Sequence, residues 1–176
     1  MSSTPTKVAT EALDRLFDAD NYLFFHDAFM PPARRTLEAD FLKAALEFRP
    51  NLALLDLGCG HGRHTNQLAP FLGRVVGIDR NPTFLNIARQ EAAAIPLTNV
   101  SYLGGDIREV AYPAEFDRIL LVNTILGLFS DVEADELLAR IFAALRPGGL
   151  LCVDTINRDT ILVDFKPHAV AEKDND

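Results

Sequence analysis

Three glycines at alternating positions, Gly58, Gly60 and Gly62, follow the short apolar run at 52–57. Because glycine has no Cβ, a ligand can approach the backbone closely there, and the helix expected after Gly62 offers free N–H groups at its start. A tight turn between a strand and a helix does not need three alternating glycines. The segment therefore predicts a loop that binds a ligand.

The spacing of these glycines separates two classes of ligand. Dinucleotide-binding loops carry the pattern G-x-G-x-x-G, in which the third glycine lets the helix pack beside a pyrophosphate. Here that third position is Arg63, and the glycine falls one place earlier. Asp56 also lies two residues before Gly58, where its carboxylate would repel a pyrophosphate and suit an ammonium group. The pattern favours a nucleoside with an amino-acid end over a dinucleotide.

A second acid, Asp79, ends the apolar run at 74–79. At the carboxyl end of a strand beside the glycine loop, a carboxylate can accept hydrogen bonds from both hydroxyls of a ribose. Asp79 could instead cap the helix that opens at Pro82, although Asn81 is better placed for that role. We expect Asp79 to bind a ribose.

A third acid, Asp106, comes shortly after the apolar run at 100–103 and is followed by Ile107. A carboxylate can accept a hydrogen bond from the amino group of adenine, and an aliphatic side chain can pack on the face of the ring. This pair of residues is by itself a weak signal. It agrees with the nucleoside that the first two acids suggest.

The composition limits the class of protein. The chain has 176 residues, 48% of them apolar and 24% charged, which suits one globular domain with a sizeable core. The formal net charge is −8 and no cluster of Lys and Arg occurs, so a nucleic-acid partner is not expected. Cys59 and Cys152 are far apart and form no CxxC motif, which argues against a disulfide framework and against a metal site.

The sequence also shows neither the pattern of a signal peptide nor that of a membrane span. The N-terminal residues 1–10 are polar and lack the apolar stretch of a signal peptide. No apolar run approaches the ~18 residues that a membrane span requires. We therefore expect a soluble, cytoplasmic protein with no membrane partner.

The elements that position these residues alternate between strands and helices. Short apolar runs bounded by helical stretches predict a parallel sheet that is covered on both faces. The predicted strands are 52–57, 74–79, 100–103, 116–123 and 150–154. Four helices are predicted. The first ends at Pro50 and has its apolar positions at Leu37, Phe41, Leu42, Ala45 and Leu46, and the second and third cover 62–72 and 82–94. The fourth starts near Ser130, is stopped by 146–149 and has its apolar positions at Leu137, Leu138, Ile141, Phe142 and Leu145.

Residues 51–155 resemble the class I S-adenosylmethionine-dependent methyltransferases. The resemblance rests on five motifs in order, which are the glycine motif 56–62, Gly77 to Asp79, Gly105 to Ile107, Phe116-Asp117 leading to Asn123, and 145–149. A narrower resemblance to a small-molecule-type branch rests on the aromatic segment 22–25, the loop 31–35 and the segment 154–158.

The resemblance implies a fold and a division of the chain. The implied fold is α/β, a doubly wound, mostly parallel Rossmann-like sheet of about five strands in the order 3-2-1-4-5, with helices on both faces and an N-terminal helical segment. Residues 1–50 would form a helical cap or lid, and residues 51–176 would form the core that binds S-adenosylmethionine. The aromatic segment 22–29 would lie over the cofactor, or would simply pack on the sheet.

The resemblance also implies roles for individual residues. Asp56 would lie near the amino group of the cofactor and Asn123 near the transferring methyl group. The remaining cofactor-binding residues would be Gly58, Cys59, Gly60 and Gly62 at the methionine part, Asp79 at the ribose with Arg80 beside it, and Asp106 and Ile107 at the adenine.

A catalytic base is optional in methyl transfer, because the protein mainly aligns the acceptor with the methyl group and excludes water. If the acceptor must lose a proton, the candidates are His26 and Tyr22, with His61 and His64 as further candidates. Arg34 or Arg35 could bind the carboxylate of the cofactor, or could be surface charges.

Asn123 is followed by Thr-Ile-Leu and not by the prolines of an Asn-Pro-Pro-aromatic motif. This difference argues against methylation of amino groups of adenine or glutamine. We therefore expect methyl transfer to a small molecule whose acceptor atom is oxygen, nitrogen or carbon. The alternatives are a catalytically silent module that binds the cofactor and a nicotinamide-dependent oxidoreductase.

The length bears on the acceptor side of the site. Proteins of the family that the chain resembles continue past the fifth strand with a helix and an antiparallel pair of strands, and residues 156–176 are too few for these elements. We expect the usual antiparallel strands to be missing. The chain would then be a fragment of a longer enzyme, or a minimal form that covers its exposed sheet edge with a partner, such as a second copy.

Overall fold

A five-stranded parallel sheet forms the centre of the molecule. The structure, a computed structural model, describes residues 15, 17–19, 22–24 and 31–163. The strands are β1 (Ala53–Leu57), β2 (Arg74–Asp79), β3 (Val100–Gly104), β4 (Phe116–Leu121) and β5 (Leu145–Val153), in the sheet order β3-β2-β1-β4-β5. The helices are α1 (Pro32–Ala45), α2 (Arg63–Leu68), α3 (Pro82–Ala94), α4 (Asp131–Ala144) and α5 (Arg158–Val163), with short 3-10 turns at Ala69–Phe71, Ile107–Glu109 and Ile125–Leu128. The predicted fold class and strand order are confirmed.

Strand β1 lies in the middle of the sheet, and both of its faces are covered. All five of its residues are buried, and it pairs in parallel with β2 on one side and β4 on the other. One face of the sheet packs on α4, with Leu55 close to Leu137 and Ile141 in one buried cluster. The other face packs on α1 and α2, with Leu54 in a cluster that includes Leu68. Burial on both faces is what a parallel sheet requires.

Helix α1 packs on the sheet with a different stripe from the predicted one. Its buried positions are Ala39, Leu42 and, at the C-cap, Leu46, whereas Leu37 is 70% and Phe41 66% exposed. Helical periodicity alone did not show which side of the helix faces the sheet. The helix begins at Pro32, because proline is well tolerated in the first turn of a helix.

Helix α4 is capped by Ser130, near which its start was predicted, but it ends earlier than expected. Ser130 and Glu133 form a capping box. The helix stops at Ala144, and the segment 146–149, predicted as its stop, belongs to β5. Among the described residues, strand β5 pairs with β4 alone, and a strand at the edge of a sheet can accommodate a proline.

Helix α4 also differs from its predicted apolar face, because Phe142 is 80% exposed while Leu137 and Ile141 are buried. At the C-terminal end of the described chain, α5 covers residues 158–163. Every strand pairing within the described residues is parallel. None of the helices in the described ranges is long and apolar enough to cross a lipid bilayer.

The glycine loop enters α2 through Gly62, whose backbone has a φ of +82°. A Cβ at this position would lie 2.6 Å from the hydroxyl oxygen of Tyr102 and 2.8 Å from the Cβ of Ala88. Both distances are too short for a side chain to fit without movement of its neighbours. Gly62 therefore allows α2 to pack closely against α3 and β3.

We predict that Gly62→Ala lowers the free energy of unfolding by about 2–4 kcal/mol, because the left-handed backbone and the close contacts both oppose a Cβ. Urea unfolding followed by circular dichroism measures this change. Gly104→Ala is the matched control, since its Cβ would meet only Leu85 at an ordinary 3.6 Å. Equal stability of the two variants would contradict the packing role of Gly62.

Candidate functional site

A cavity of about 600 Å³ opens at the carboxyl ends of the strands. Tyr22, from the N-terminal segment, contributes to its wall. The predicted site residues that line it are Asp56, Gly58, Cys59, Gly60, Asp79, Arg80, Asp106, Ile107 and Asn123. Gly62 does not line the cavity; a Cβ there would face Tyr102 and Ala88, and its contact with the cofactor stays a prediction. His26 lies outside the described residues.

The glycine loop is fixed to the end of β2 by three backbone donors. The N–H groups of Gly58 and Cys59 donate to the carbonyl oxygen of Ile78 at 2.8 and 3.0 Å. The N–H of Gly60 donates to Asp79 Oδ2 at 2.9 Å. A Cβ on Gly60 would meet no atom within 4 Å, which leaves open space above the loop for a ligand.

The carboxylate of Asp79 joins the glycine loop to the start of α3. Its Oδ2 accepts the N–H of Gly60, and its Oδ1 accepts the N–H of Asn81 at 2.8 Å. Asn81 caps α3, as expected, through its Oδ1, which accepts the N–H groups of Thr83 and Phe84. Burial raises the pKa of Asp79 against the effect of these hydrogen bonds. Asp79 is therefore held in one orientation in the cavity wall.

Asp56 is a buried acid with one oxygen lacking a protein partner. The residue is 1% exposed, and its Oδ2 accepts the hydroxyl of Thr65 at 2.5 Å. Within the described part of the chain, its Oδ1 has no hydrogen-bond partner. Burial, with the negative charge of Asp79 nearby, raises the pKa of Asp56 to about 6. An acid in this state would gain from a cationic ligand, because burying an unpaired charge is costly.

Asp106 is paired with Arg108, which the motifs in the sequence did not indicate. Arg108 donates from Nη2 to Asp106 Oδ2 at 2.6 Å and from Nη1 to Glu133 Oε1 at 2.7 Å. The hydrogen bonds from Arg108 hold the pKa of Asp106 below its usual range. All three side chains line the cavity, next to the buried side chain of Ile107. The signal in the sequence was the close spacing of Asp106 and Arg108.

A second arginine, Arg63, lies at the Asn123 end of the cavity. Its Nη1 donates to Glu38 Oε2 at 2.5 Å, and its Nη2 donates to Asn123 Oδ1 at 3.2 Å. Arg34 or Arg35 was expected either to bind the carboxylate of the cofactor or to be a surface charge. Arg34 is exposed, pairs with Glu38 Oε1 at 3.1 Å and does not line the cavity. The signal for Arg63 was its position directly after the glycine motif.

The backbone around Asn123 is strained. Asn123 and Thr124 have φ values of 67° and 62°, in the left-handed region that side chains rarely adopt. The two residues follow each other shortly after the end of β4, and Asn123 lines the cavity. Strain of this kind collects at functional sites, where the surrounding structure holds it in place.

Tyr22 and His64 have opposite shifts that both favour the neutral form at neutral pH. Burial raises the pKa of Tyr22, whose ring packs on Phe84 with 5.3 Å between centroids. Burial and the charge of Arg63 lower the pKa of His64 to about 4. The Nε2 of His64 lies 3.2 Å from Glu38 Oε2. Tyr22 can therefore donate a hydrogen bond. Burial also raises the pKa of the Cys59 thiol, which keeps the thiol protonated.

Comparison with known proteins decides the family. Residues 54–149 match the family model of the methyltransferase domain, which covers more than half of the chain. The chain belongs to the class I S-adenosylmethionine-dependent methyltransferase family. This confirms the family predicted from the motifs and, with it, the cofactor of the class, S-adenosylmethionine.

Two of the relatives of this chain are methyltransferases by name. Trans-aconitate 2-methyltransferase of Deinococcus radiodurans is 37% identical over 139 residues, which are 78% of this chain and 48% of that protein. The ubiquinone biosynthesis O-methyltransferase of Methylobacterium nodulans is 33% identical over 108 residues, 61% of this chain and 42% of that protein. The chain thus spans about half the length, or less, of these relatives.

A solved structure shares the fold of this methyltransferase chain. Phosphoethanolamine N-methyltransferase 1 of Haemonchus contortus, solved with phosphoethanolamine and S-adenosylhomocysteine, superposes with a TM-score of 0.73 at 20% identity. The match covers 86% of this chain and 33% of that one. At this level of identity the match supports the arrangement of strands and helices.

We predict that Asp56 makes the stability of the protein fall as the pH rises. Its pKa is about 6 in the folded protein and near 3.8 in the unfolded chain, so its contribution is present below pH 4 and lost as the pH passes 6. Between pH 4.5 and 7.5 this loss is about 2 kcal/mol. Asp56→Asn removes the titration.

Urea unfolding of wild type and Asp56→Asn at the two pH values gives the measurement. The difference between the two proteins isolates Asp56, since every other group titrates in both. An equal pH dependence in the two proteins would show that Asp56 is ionised normally in the folded state.

Proposed function

We propose that this chain binds S-adenosylmethionine in the cavity and takes part in transfer of its methyl group to a small molecule. The observation that carries the proposal is the collection of three acids, Asp56, Asp79 and Asp106, in one cavity wall at the ends of neighbouring strands. A nucleoside with an amino-acid end offers hydrogen-bond donors at three separate places. The three acids likewise lie at three separate places along the edge of the sheet, at or near the ends of β1, β2 and β3.

The residues present fit this ligand. Asp56 has a buried oxygen without a partner within the described residues, and an ammonium group would supply one. Asp79, fixed by two backbone donors, has lone pairs left to accept from ribose hydroxyls. Asp106 is ionised and would accept from the amino group of adenine, with Ile107 against the ring. Gly60 leaves room for the ligand to lie on the loop.

When bound, the cofactor supplies a methyl group on a positively charged sulfur, which an acceptor displaces in line. The task of the chain is to orient the two reactants and to keep water out. Phe17, Ala19 and Tyr22 line the cavity from the N-terminal segment. This supports a proposed role of residues 1–50 as a cap over the core at 51–176.

The acceptor atom that we propose is oxygen. One relative is named for O-methyl transfer and another for trans-aconitate, whose possible acceptor atoms include carboxylate oxygens. A carboxylate needs no base before it accepts a methyl group. This agrees with a cavity in which Tyr22 stays protonated and His64 has a low pKa.

We predict that Asp79→Ala weakens binding of S-adenosylhomocysteine by about 10- to 100-fold, because charge-assisted hydrogen bonds to ribose contribute about 1.5–3 kcal/mol. Isothermal titration calorimetry measures the affinity, and Glu115→Ala is the control, since Glu115 is paired with Arg74 at the surface. Tight binding of NAD without binding of S-adenosylhomocysteine would identify an oxidoreductase instead.

Turnover is tested with a library of metabolites. The full chain is incubated with S-adenosylmethionine and candidate acceptors, including trans-aconitate and phenols, and release of S-adenosylhomocysteine is followed. Product formation with an oxygen acceptor supports the proposal. Cofactor binding without turnover across the library would indicate a module that binds the cofactor and is catalytically silent.

A further inference from the structure

Arg63 is the most deeply buried arginine in the cavity wall. Its side chain is 5% exposed, compared with 34% for Arg108. It lies at the first residue of α2, directly after the glycine motif, and reaches toward the end of β4. A guanidinium carries its positive charge at any physiological pH. A buried, permanent cation therefore sits at the end of the cavity where the methyl group is expected.

The guanidinium has donors to spare. Of its five N–H groups, one on Nη1 goes to Glu38 and one on Nη2 goes to Asn123. The remaining donors, including the one on Nε, meet no acceptor among the residues that the structure describes. Donors with little access to water gain from a ligand that accepts hydrogen bonds.

The two protein partners fix the direction of these donors. Glu38 comes from α1 and also bonds His64 and Arg34, so its carboxylate is anchored from three sides. Asn123 comes from the strained turn after β4. Arg63 is thus held between two elements that are distant in the sequence. A fixed guanidinium loses little freedom when it binds a planar acid.

The charges nearby indicate what the ligand carries. Asp56, whose Oδ1 lacks a partner in the described residues, lies close enough to Arg63 for the positive charge to favour its ionised form. The same charge acts on Tyr22. An acid with an unpaired oxygen and a cation with unpaired donors thus belong to the wall of the same cavity. This arrangement matches a ligand that has an ammonium group and a carboxylate.

We propose that Arg63 binds a carboxylate group inside the cavity. The inference rests on the proposed function for the identity of the cavity as the cofactor site. Arginine and carboxylate pair through two parallel hydrogen bonds, which suits a guanidinium with neighbouring free donors. Two molecules could bring the carboxylate, the amino-acid end of the cofactor or an acidic acceptor. The chemistry is the same, and the experiment separates the two sources.

The test compares ligands with and without the carboxylate. Calorimetry measures binding of S-adenosylhomocysteine and of its decarboxylated form to wild type and to Arg63→Met. We expect Arg63→Met to lose about 10- to 100-fold in affinity for S-adenosylhomocysteine and to bind the decarboxylated ligand as wild type does. Arg74→Met is the matched control, because it removes an arginine from an exposed ion pair outside the cavity.

A second titration examines the acceptor as the source. Trans-aconitate, a tricarboxylate, is titrated into protein saturated with S-adenosylhomocysteine. One outcome is that Arg63→Met leaves the affinity for S-adenosylhomocysteine unchanged and weakens the binding of trans-aconitate by about 10- to 100-fold. In that case the carboxylate belongs to the acceptor, and the proposal stands. The proposal is overturned if Arg63→Met loses the same affinity for S-adenosylhomocysteine and for its decarboxylated form. It is also overturned if Arg63→Met loses affinity for none of the ligands that carry a carboxylate. A loss in Arg34→Met and none in Arg63→Met overturns it as well.

Folding of the variants is checked by circular dichroism. If Arg63→Met does not fold, Arg63→Lys takes its place, because lysine keeps the charge and loses the planar pair of donors. The preference of wild type for the carboxylate-bearing ligand must then shrink in Arg63→Lys, and an unchanged preference overturns the proposal. Wild type that binds no S-adenosylhomocysteine would refute the proposed function, whereas wild type that binds it with no dependence on Arg63 refutes this inference alone.

Discussion

The carboxylate of Asp79 is the group on which the geometry of the site depends. One of its oxygens accepts the N–H of Gly60 and the other accepts the N–H of Asn81. The glycine loop after β1 and the start of α3 after β2 are therefore attached to the same side chain. Apart from this bridge, the described residues hold the loop to β2 through the hydrogen bonds of Gly58 and Cys59 to the carbonyl oxygen of Ile78. The acid that we expect to contact the ligand also shapes the surface beneath it.

Two further charged groups of the cavity, Asp106 and Arg63, are each stabilised by an ion pair. Asp106 is paired with Arg108, and Arg63 is paired with Glu38. Burial of a charge costs free energy unless a partner is present, so these pairs allow the site to be both charged and enclosed. Asp56 is the exception, because Thr65 bonds only one of its oxygens. Burial raises its pKa to about 6 because its charge is only partly compensated.

Local signals in the sequence were sufficient to predict the features that depend on residues close together in the chain, such as strand bounds and helix caps. Strand β2 has its predicted bounds, and Asn81 and Ser130 cap the helices that follow them. The failures concern the orientation of elements. Phe41 and Phe142 were assigned to buried faces and are exposed, because a helical pattern rich in apolar residues does not reveal which stripe the sheet covers.

The sequence by itself determined the parallel sheet, its strand order through the family resemblance, and the acids at the strand ends. It could do so because the carboxyl ends of parallel strands share one edge, so residues at those ends come together whatever the details of packing. Only the tertiary structure decided that Gly62 serves packing, that Arg63 and not Arg34 lines the cavity, and that Arg108 holds Asp106. The environments of Gly62 and Arg63 depend on contacts with residues far away in the chain, such as those of Arg63 with Glu38 and Asn123, and only folding brings those residues within reach.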